Sequence, residues 1–159
     1  MKKILIGSDK SGFRLKESVK MHLMNNGYDI EDAGTLDESN PFPFHVVAKK
    51  VAKQVQDKEY DKAILVCGTG MGMSIVANTF EGVHAACVES SYAAEKCRAI
   101  NDANVMTMGG WIIGDILGCE MVDKFLNTEF TQGLEEWRAD FLKKAKEQVL
   151  TIEKENYKK

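Results

Sequence analysis

Residues 67–72, Cys-Gly-Thr-Gly-Met-Gly, combine one thiol with three glycines at alternate positions, which makes them the segment best suited to chemistry. The apolar run 64–66 precedes them, and apolar residues return at helical spacing from Met71. This pattern predicts a buried strand, a tight turn and the start of a helix. Backbone N–H groups at such a turn favour an oxyanion, a phosphate or a thiolate, and they give a thiol basic and nucleophilic character. We call residues 67–72 the glycine turn.

A second interpretation of the glycine turn is purely structural. A cysteine at the end of a strand often serves as a small buried hydrophobe, and glycines after a strand often serve only a tight turn. The segment lacks the Gly-Lys-Ser/Thr of a Walker loop and the glycine spacing of a dinucleotide fingerprint. An anion bound here would therefore be held differently from a nucleotide.

Asp9 and Lys10 follow the first predicted strand. Ligands of open α/β sheets bind beyond the carboxyl ends of the strands, so both residues are expected near the glycine turn. A carboxylate beside a lysine at that place favours orientation of a substrate and neutralisation of a phosphate. The alternative for Asp9 is a helix cap or a surface ion pair.

Strand and helix patterns alternate along the chain, which predicts an α/β fold. Apolar runs predict strands over 3–8, 28–32, 63–66, 82–88 and 104–108. Helical spacing predicts helices over 13–26, 44–56, 92–99, 112–126 and 134–157, another from about residue 71, and a cap at Ser90 or Ser91. We therefore expect a Rossmann-like three-layer sandwich with a five-stranded parallel sheet plus a C-terminal helix.

Length and composition exclude several classes of protein. A chain of 159 residues with 44% apolar and 28% charged residues fits one domain over 1–159. The net charge of −3 gives no reason to expect nucleic acid or an anionic membrane as a partner. The four cysteines lack the spacing of zinc ligands, so we expect no metal and reduced thiols in a cytoplasm.

Three segments resemble the ribose-5-phosphate isomerase B / galactose-6-phosphate isomerase family: residues 6–13, residues 67–78, and residues 101–105 with Gly109. The resemblance covers about residues 3–130. It implies isomerisation of an aldose and a ketose sugar phosphate through a cis-enediolate, without metal or other cofactor. It also implies a homodimer or homotetramer with active sites at the subunit interface.

The resemblance implies a role for each matching residue. Cys67 is the base that moves a proton between C1 and C2, and Asp9 orients the substrate. Thr69 lies near the exchanging hydroxyl, and Asn101 binds sugar oxygens. Backbone N–H groups of the glycine turn hold the enediolate oxygens, from Gly68, Thr69, Gly70 and Gly72. An enediolate develops negative charge, so preorganised N–H donors would contribute strongly to catalysis.

The chain also departs from the family pattern. Lys10 replaces the histidine of the family's Asp-His pair, and Ile100 replaces its ring-opening histidine. Phe42 replaces a tyrosine, and two arginine positions are Trp111 and Leu134. We therefore expect the substrate phosphate to be bound by Lys10 and by the remaining C-terminal arginine, Arg138.

These departures favour a substrate that needs no ring opening, since isoleucine neither donates nor accepts a proton. A four-carbon sugar esterified at its terminal hydroxyl cannot close a furanose, which predicts a tetrose or tetrulose 4-phosphate. Ribose/ribulose 5-phosphate or a hexose 6-phosphate is a second alternative. A third is a catalytically reduced subunit of a two-chain galactose-6-phosphate isomerase, and a fourth is a small-ligand binding module.

The three histidines do not obviously replace the missing groups. His22 is expected to be exposed in mid-helix, and His84 to be structural within a strand. Only His45, near the loop that contains Phe42, is expected within reach of a site.

Overall fold

Strands and helices alternate in the computed structural model, which describes residues 3–158. The strands are β1 (Lys3–Ser8), β2 (Asp29–Asp32), β3 (Ala63–Cys67), β4 (Ala85–Cys87) and β5 (Val105–Gly109). The helices are α1 (Phe13–Asn25), α2 (Phe44–Gln56), α3 (Met71–Ala77), α4 (Ser91–Ala99), α5 (Asp115–Asn127) and α6 (Glu136–Tyr157).

The five strands form one parallel sheet, as predicted. Their order in the sheet is β2-β1-β3-β5-β4. The central strand, β3, pairs Cys67 with Gly109 at the end of β5 and Val66 with Ser8 at the end of β1. The loops that follow these three neighbouring strands therefore meet at one edge of the sheet.

Side chains that alternate along the strands pack against helices on both faces, which confirms the three-layer architecture. One face buries Ile4, Ile6, Ile64, Val66, Met106 and Met108 against α1, α4 and α5. The other buries Leu5, Ala63, Leu65 and Val105 against α2 and α3. Cys67 points to the second face, where it is 5% exposed among the buried residues.

Several predicted boundaries differ from the structure. The strand predicted over 82–88 is only Ala85–Cys87, because Gly82 has a φ of 75° and the Asn104 side chain takes the His84 N–H at 2.8 Å. The helix predicted from residue 112 begins at Asp115, since the N–H groups of residues 112 and 113 bond to the Gly109 carbonyl. Ser90 caps α4 through the Ala93 N–H.

Two expectations for histidines were wrong. His22 is half-buried, because its Nε2 lies 2.9 Å from the Asp123 carboxylate of the neighbouring α5. His84 precedes β4 instead of lying within it, and its Nε2 lies 3.3 Å from Glu153. Both contacts join separate elements of the fold. For His84, therefore, only the expected position within a strand was wrong, and the contact with Glu153 is a structural one.

The C-terminal helix α6 begins at Glu136, two residues after the predicted start, and none of its 22 residues is buried. Glu153 accepts the Gly82 N–H at 2.7 Å, and Lys146 pairs with Asp102, so these side chains attach α6 to the sheet. The helix also presents exposed apolar side chains, namely Trp137, Phe141, Val149 and Ile152. Within residues 3–158, no helix has the length and apolar character to cross a membrane.

Candidate active site

Cys67 ends β3, and its sulfur accepts a hydrogen bond from the Gly70 N–H at 3.1 Å. The backbone of Gly70 makes this possible, since its φ of 79° folds the chain back over the cysteine. This hydrogen bond fixes the position of the sulfur relative to the turn. The glycine turn therefore places a thiol where it can act as a base.

The end of β5 holds the glycine turn in place. The Gly110 N–H donates to the Cys67 carbonyl at 2.7 Å, and the Thr107 hydroxyl donates to the Gly70 carbonyl at 2.8 Å. The contact with β5 is close, because a Cβ on Gly109 would lie 2.6 Å from the Gly68 carbonyl oxygen. These bonds occupy carbonyl groups of the turn and fix its backbone before a ligand arrives.

Thr69 is half-exposed at the top of the glycine turn. Its Oγ1 accepts the Met71 N–H at 3.3 Å, which leaves the hydroxyl proton available to a ligand. Its carbonyl oxygen lies 3.6 Å from the exposed thiol of Cys87. Sequence analysis did not place Cys87 here, because the contact depends on the order of β3, β5 and β4.

Two aromatic rings lie against the glycine turn. A Cβ on Gly68 would lie 2.9 Å from the Trp111 indole, and a Cβ on Gly72 would lie 2.8 Å from the Phe44 ring. Both glycines are therefore required for these close contacts. His45 packs edge-on against Phe44, at 5.3 Å between ring centroids, and is itself exposed beside this wall.

Asp9 lies beside the glycine turn, since its N–H donates to the Val66 carbonyl at 3.3 Å. Its carboxylate accepts the Gly12 N–H at 2.9 Å. Burial raises the pKa of Asp9 above its ordinary value, against the lowering effect of hydrogen bonds from Gly12 and Ser11. The carboxylate is thus both a local cap and a polar group at the rim of the candidate site.

Lys10 is exposed and lines a cavity of about 560 Å³ between α1 and the loop after β5. We call it the Trp111 cavity; its lining includes Lys10, Ser11, Arg14, Glu38, Gly110, Trp111 and Asp115. Trp111 and Gly110 also contact the glycine turn, so the cavity adjoins Cys67. Sequence analysis missed Arg14, which lies in the first turn of α1, whereas Lys10 lies in the loop before that helix.

The structure brings seven of the predicted site residues together at the carboxyl edge of the sheet: Asp9, Lys10, Cys67, Gly68, Thr69, Gly70 and Gly72. Asn101 is not among them, because it lies between the end of α4 and the start of β5, at the amino edge. Four steps of about 3.3 Å along β3 separate the two edges by roughly 13 Å. Arg138 is exposed at the start of α6, after a segment whose Thr131 N–H bonds to Ala99 near the same amino edge.

Among residues 3–158, no three His, Cys, Asp or Glu side chains are grouped so that they could hold a metal ion. The chemistry available at the carboxyl edge is that of a thiol base, a hydroxyl, a carboxylate, backbone N–H donors and a lysine. Such groups are able to support a proton transfer in which negative charge develops on substrate oxygens.

Comparison with known proteins identifies the family of the chain. The family model for Ribose/Galactose Isomerase matches residues 4–142. The 4-deoxy-4-sulfo-D-erythrose isomerase of Clostridium sp. (strain MSTE9) is 63% identical over 157 residues, covering 99% of each chain. The D-erythrulose-4-phosphate isomerase of Pectobacterium atrosepticum is 34% identical over 134 residues, covering 84% of this chain and 88% of the relative.

Solved structures extend the likeness to three dimensions. The ribose-5-phosphate isomerase B of Clostridium thermocellum superposes with a TM-score of 0.86 at 35% identity, covering 97% of this chain and 99% of the other. The fold, the glycine turn and these similarities lead to one conclusion: this chain belongs to the ribose/galactose isomerase family and is an isomerase of the sugar-phosphate isomerase type.

Proposed function

We propose that this isomerase interconverts a four-carbon aldose and ketose that carry an anionic group on C4, with 4-deoxy-4-sulfo-D-erythrose and the corresponding erythrulose as the preferred pair. The observation that carries the proposal is the 63% identity, over 99% of each chain, to a relative named as the isomerase of that sulfo-sugar. The sequence-based hypothesis of a tetrose or tetrulose phosphate agrees in chain length and differs only in the terminal group.

The chemistry of the substrate accounts for Ile100. In a 4-deoxy-4-sulfo sugar, C4 is bonded to sulfur, so there is no C4 hydroxyl to attack the carbonyl and close a five-membered ring. The substrate therefore arrives open. An isomerase for it needs no acid or base at the position where the family resemblance implies a ring-opening histidine.

Cys67 acts as the base in the proposed reaction. Its thiolate takes the proton from C2 of the aldose, which gives a cis-enediolate with charge on O1 and O2. N–H groups of the glycine turn and the Thr69 hydroxyl stabilise that charge and move a proton between the two oxygens. Cys67 then returns its proton to C1 to give the ketose, so no electron acceptor is needed.

Asp9 and Lys10 hold the substrate in place for this transfer. Asp9 is fixed by the Gly12 N–H and reaches hydroxyl groups of the sugar, whereas Lys10 lines the Trp111 cavity and neutralises the terminal anion. Phe44 and Trp111 narrow the space above the glycine turn, which suits a short substrate.

A second copy of the chain completes each site in this proposal. Asn101 lies at the amino edge, and Arg138 lies on α6, a helix that contacts Asp102 and Gly82 before β5 and β4. Neither residue joins Cys67 within one chain. The exposed apolar side chains of α6 provide surface for such an interface, namely Trp137, Phe141, Val149 and Ile152. A homodimer, or a tetramer built from it, would bring Asn101 and Arg138 of one copy to Cys67 of the other.

The test of activity compares kcat/KM of the purified chain on four substrates: 4-deoxy-4-sulfo-D-erythrose, erythrose 4-phosphate, ribose 5-phosphate and galactose 6-phosphate. We expect the sulfo-sugar to be the best substrate and the sugars that close rings to be the worst. Cys67→Ser should lower turnover by about 10²–10⁴, because a serine hydroxyl is a much weaker base. A clear preference for ribose 5-phosphate would refute the proposal, and inactivity of the chain alone would favour the two-chain alternative.

The shared site is tested by mixing two variants, Cys67→Ser and Asn101→Ala, each expected to be nearly inactive alone. Random pairing makes half of the dimers mixed, and each mixed dimer has one intact site, so activity should recover to about a quarter of wild type. No recovery after co-refolding would mean that Asn101 does not act across subunits.

A further inference from the structure

The Trp111 cavity contains two cations that the structure leaves unpaired. Lys10 precedes α1 and Arg14 lies in its first turn, and both side chains line the cavity. Among residues 3–158, neither cation has a carboxylate within ion-pair distance. Lys16 and Lys20 on the same helix, in contrast, bind the Asp32 carboxylate at 2.5 and 3.0 Å. The two free cations are therefore available to an anionic ligand.

Two carboxylates share the same cavity. Glu38 projects from the loop before α2 and Asp115 begins α5, and both are exposed. Neither carboxylate has a cation partner within residues 3–158. The side chains that one copy contributes to the lining thus carry a formal charge of zero, from two positive and two negative groups.

A balanced lining treats a singly charged ligand and a doubly charged one differently. Doubling the charge of the ligand doubles its attraction to Lys10 and Arg14, but it doubles its repulsion from Glu38 and Asp115 as well. The cost of removing an ion from water grows with the square of its charge, so the second charge brings a large cost without a net gain. A phosphate monoester is mainly a dianion above its second pKa of about 6, whereas a sulfonate stays a monoanion.

We propose that the Trp111 cavity is the subsite for the terminal anion, in which Arg14 is a second cationic ligand beside Lys10, and in which Glu38 and Asp115 select a monoanionic sulfonate over a dianionic phosphate. The position of the cavity fits this role. Three bonds of roughly 1.5 Å join C2 to the sulfur, a reach of about 4 Å. The Trp111 N–H bonds to the Gly68 carbonyl at 3.0 Å, so the cavity begins directly beside the glycine turn.

This inference rests on the proposed function, because it assigns the anionic end of that substrate to a place. Its first test uses kinetics with Glu38→Gln, Asp115→Asn and the double variant. We expect the double variant to raise kcat/KM for erythrose 4-phosphate at pH 7.5 at least tenfold and that for the sulfo-sugar less than threefold. Lowering the pH to 5.5 should raise the relative rate of wild type on the phosphate, since the monoanion then predominates.

Matched controls separate this effect from a general change of charge. Glu147→Gln removes an exposed carboxylate of α6 that has no ion pair within residues 3–158, and it should leave the ratio of the two substrates unchanged. Arg14→Gln should raise KM for both substrates about tenfold with little effect on kcat, and Arg14→Lys should restore part of the loss. Equal effects of the Glu38 and Asp115 variants on both substrates, or no effect, would overturn the selection.

A binding experiment tests the subsite without any turnover. The chain has two tryptophans, so the Trp137→Phe variant reports Trp111 alone. Its emission is followed during titration with methanesulfonate and with methyl phosphate at pH 8, each matched in ionic strength with sodium chloride. We expect saturable binding of methanesulfonate, weaker binding of methyl phosphate, and loss of both in an Arg14→Gln background.

The two experiments distinguish the failure of one proposal from the failure of the other. Absence of a saturable signal with methanesulfonate, or a signal that survives Arg14→Gln, would overturn the subsite even if the enzyme isomerises the sulfo-sugar. Turnover restricted to ribose 5-phosphate, together with Arg14-dependent binding of methanesulfonate, would overturn the proposed function and leave the anion subsite standing.

Discussion

Gly70→Ala tests whether the site depends on the backbone of the glycine turn. Gly70 has a φ of 79°, and a Cβ there would lie 2.8 Å from the Met108 carbonyl carbon of β5. The left-handed conformation costs alanine about 1 kcal/mol more than glycine. Forcing a methyl group into packed backbone costs about 1–3 kcal/mol more. We therefore expect the free energy of unfolding to fall by about 2–4 kcal/mol.

Gly27→Ala is the matched control for this measurement. Gly27 has a φ of 81°, but no atom lies within 4 Å of an added Cβ, so only the conformational cost of about 1 kcal/mol applies. Urea denaturation compares the free energy of unfolding of the two variants at the same protein concentration. Equal losses of stability in both variants would refute the contact with β5.

The same pair of variants separates stability from catalysis. Alanine at position 70 displaces the N–H that donates to Cys67 Sγ at 3.1 Å, so we expect kcat to fall at least tenfold with little change in KM. Gly27→Ala should keep the wild-type kcat, because Gly27 follows α1 away from the site. Wild-type kcat in a folded Gly70→Ala variant would show that this hydrogen bond does not support the base.

Three further predictions follow from the buried ionisable groups. Asp9→Asn keeps an acceptor for the Gly12 N–H and removes a carboxylate whose pKa is raised by burial. Turnover should fall, whereas the Tm at pH 7 should stay equal or rise, because the buried charge is gone. Any rise in Tm should vanish below the ordinary aspartate pKa of about 3.9, where the wild-type carboxyl is protonated as well. Lys16→Met removes a fully buried ammonium that donates to the Thr35 carbonyl, and urea denaturation should show a loss of about 3 kcal/mol; a loss below about 1 kcal/mol would contradict this role. Burial raises the pKa of Cys97 to about 11. Alkylation of Cys97 by iodoacetamide, followed by mass spectrometry, should therefore be slow at pH 7.5 and accelerate toward pH 10. A rate that does not depend on pH would contradict this raised pKa.

The alternation of apolar patterns was enough to predict the class of fold and the order of its elements. Strands buried on both faces read as short apolar runs, as residues 64–66 do, and they need no information from elsewhere in the chain. The boundaries of β4 were wrong because they depend on a tertiary contact, in which the Asn104 side chain takes the His84 N–H. Helix α5 begins later than predicted for a similar reason, since the Gly109 carbonyl accepts the N–H groups of residues 112 and 113 and holds them in a turn before the helix.

The candidate site was predictable where the backbone builds it. Cys67, Asp9 and the glycines follow neighbouring strands, and the carboxyl ends of parallel strands always meet at one edge. Arg14 and the Phe44 ring were missed because side chains of loops and first turns have no periodic pattern. The separation of Asn101 from Cys67 also escaped the sequence, since a motif gives residue types and not the edge of the sheet on which they lie.

The groups assigned to proton transfer and the groups assigned to the terminal anion lie on different parts of the chain. The groups assigned to proton transfer come from one turn, whose carbonyls are held by Gly110 and Thr107 and whose glycines admit no Cβ. The groups assigned to the terminal anion are exposed side chains of separate segments, which can be replaced without strain in that turn. A change at Trp111 or Arg14 can therefore alter the length or charge of the substrate while the base keeps its geometry. This predicts that selectivity for the terminal group and the rate of proton transfer respond to different substitutions, as the kinetics of the Glu38 and Gly70 variants would reveal.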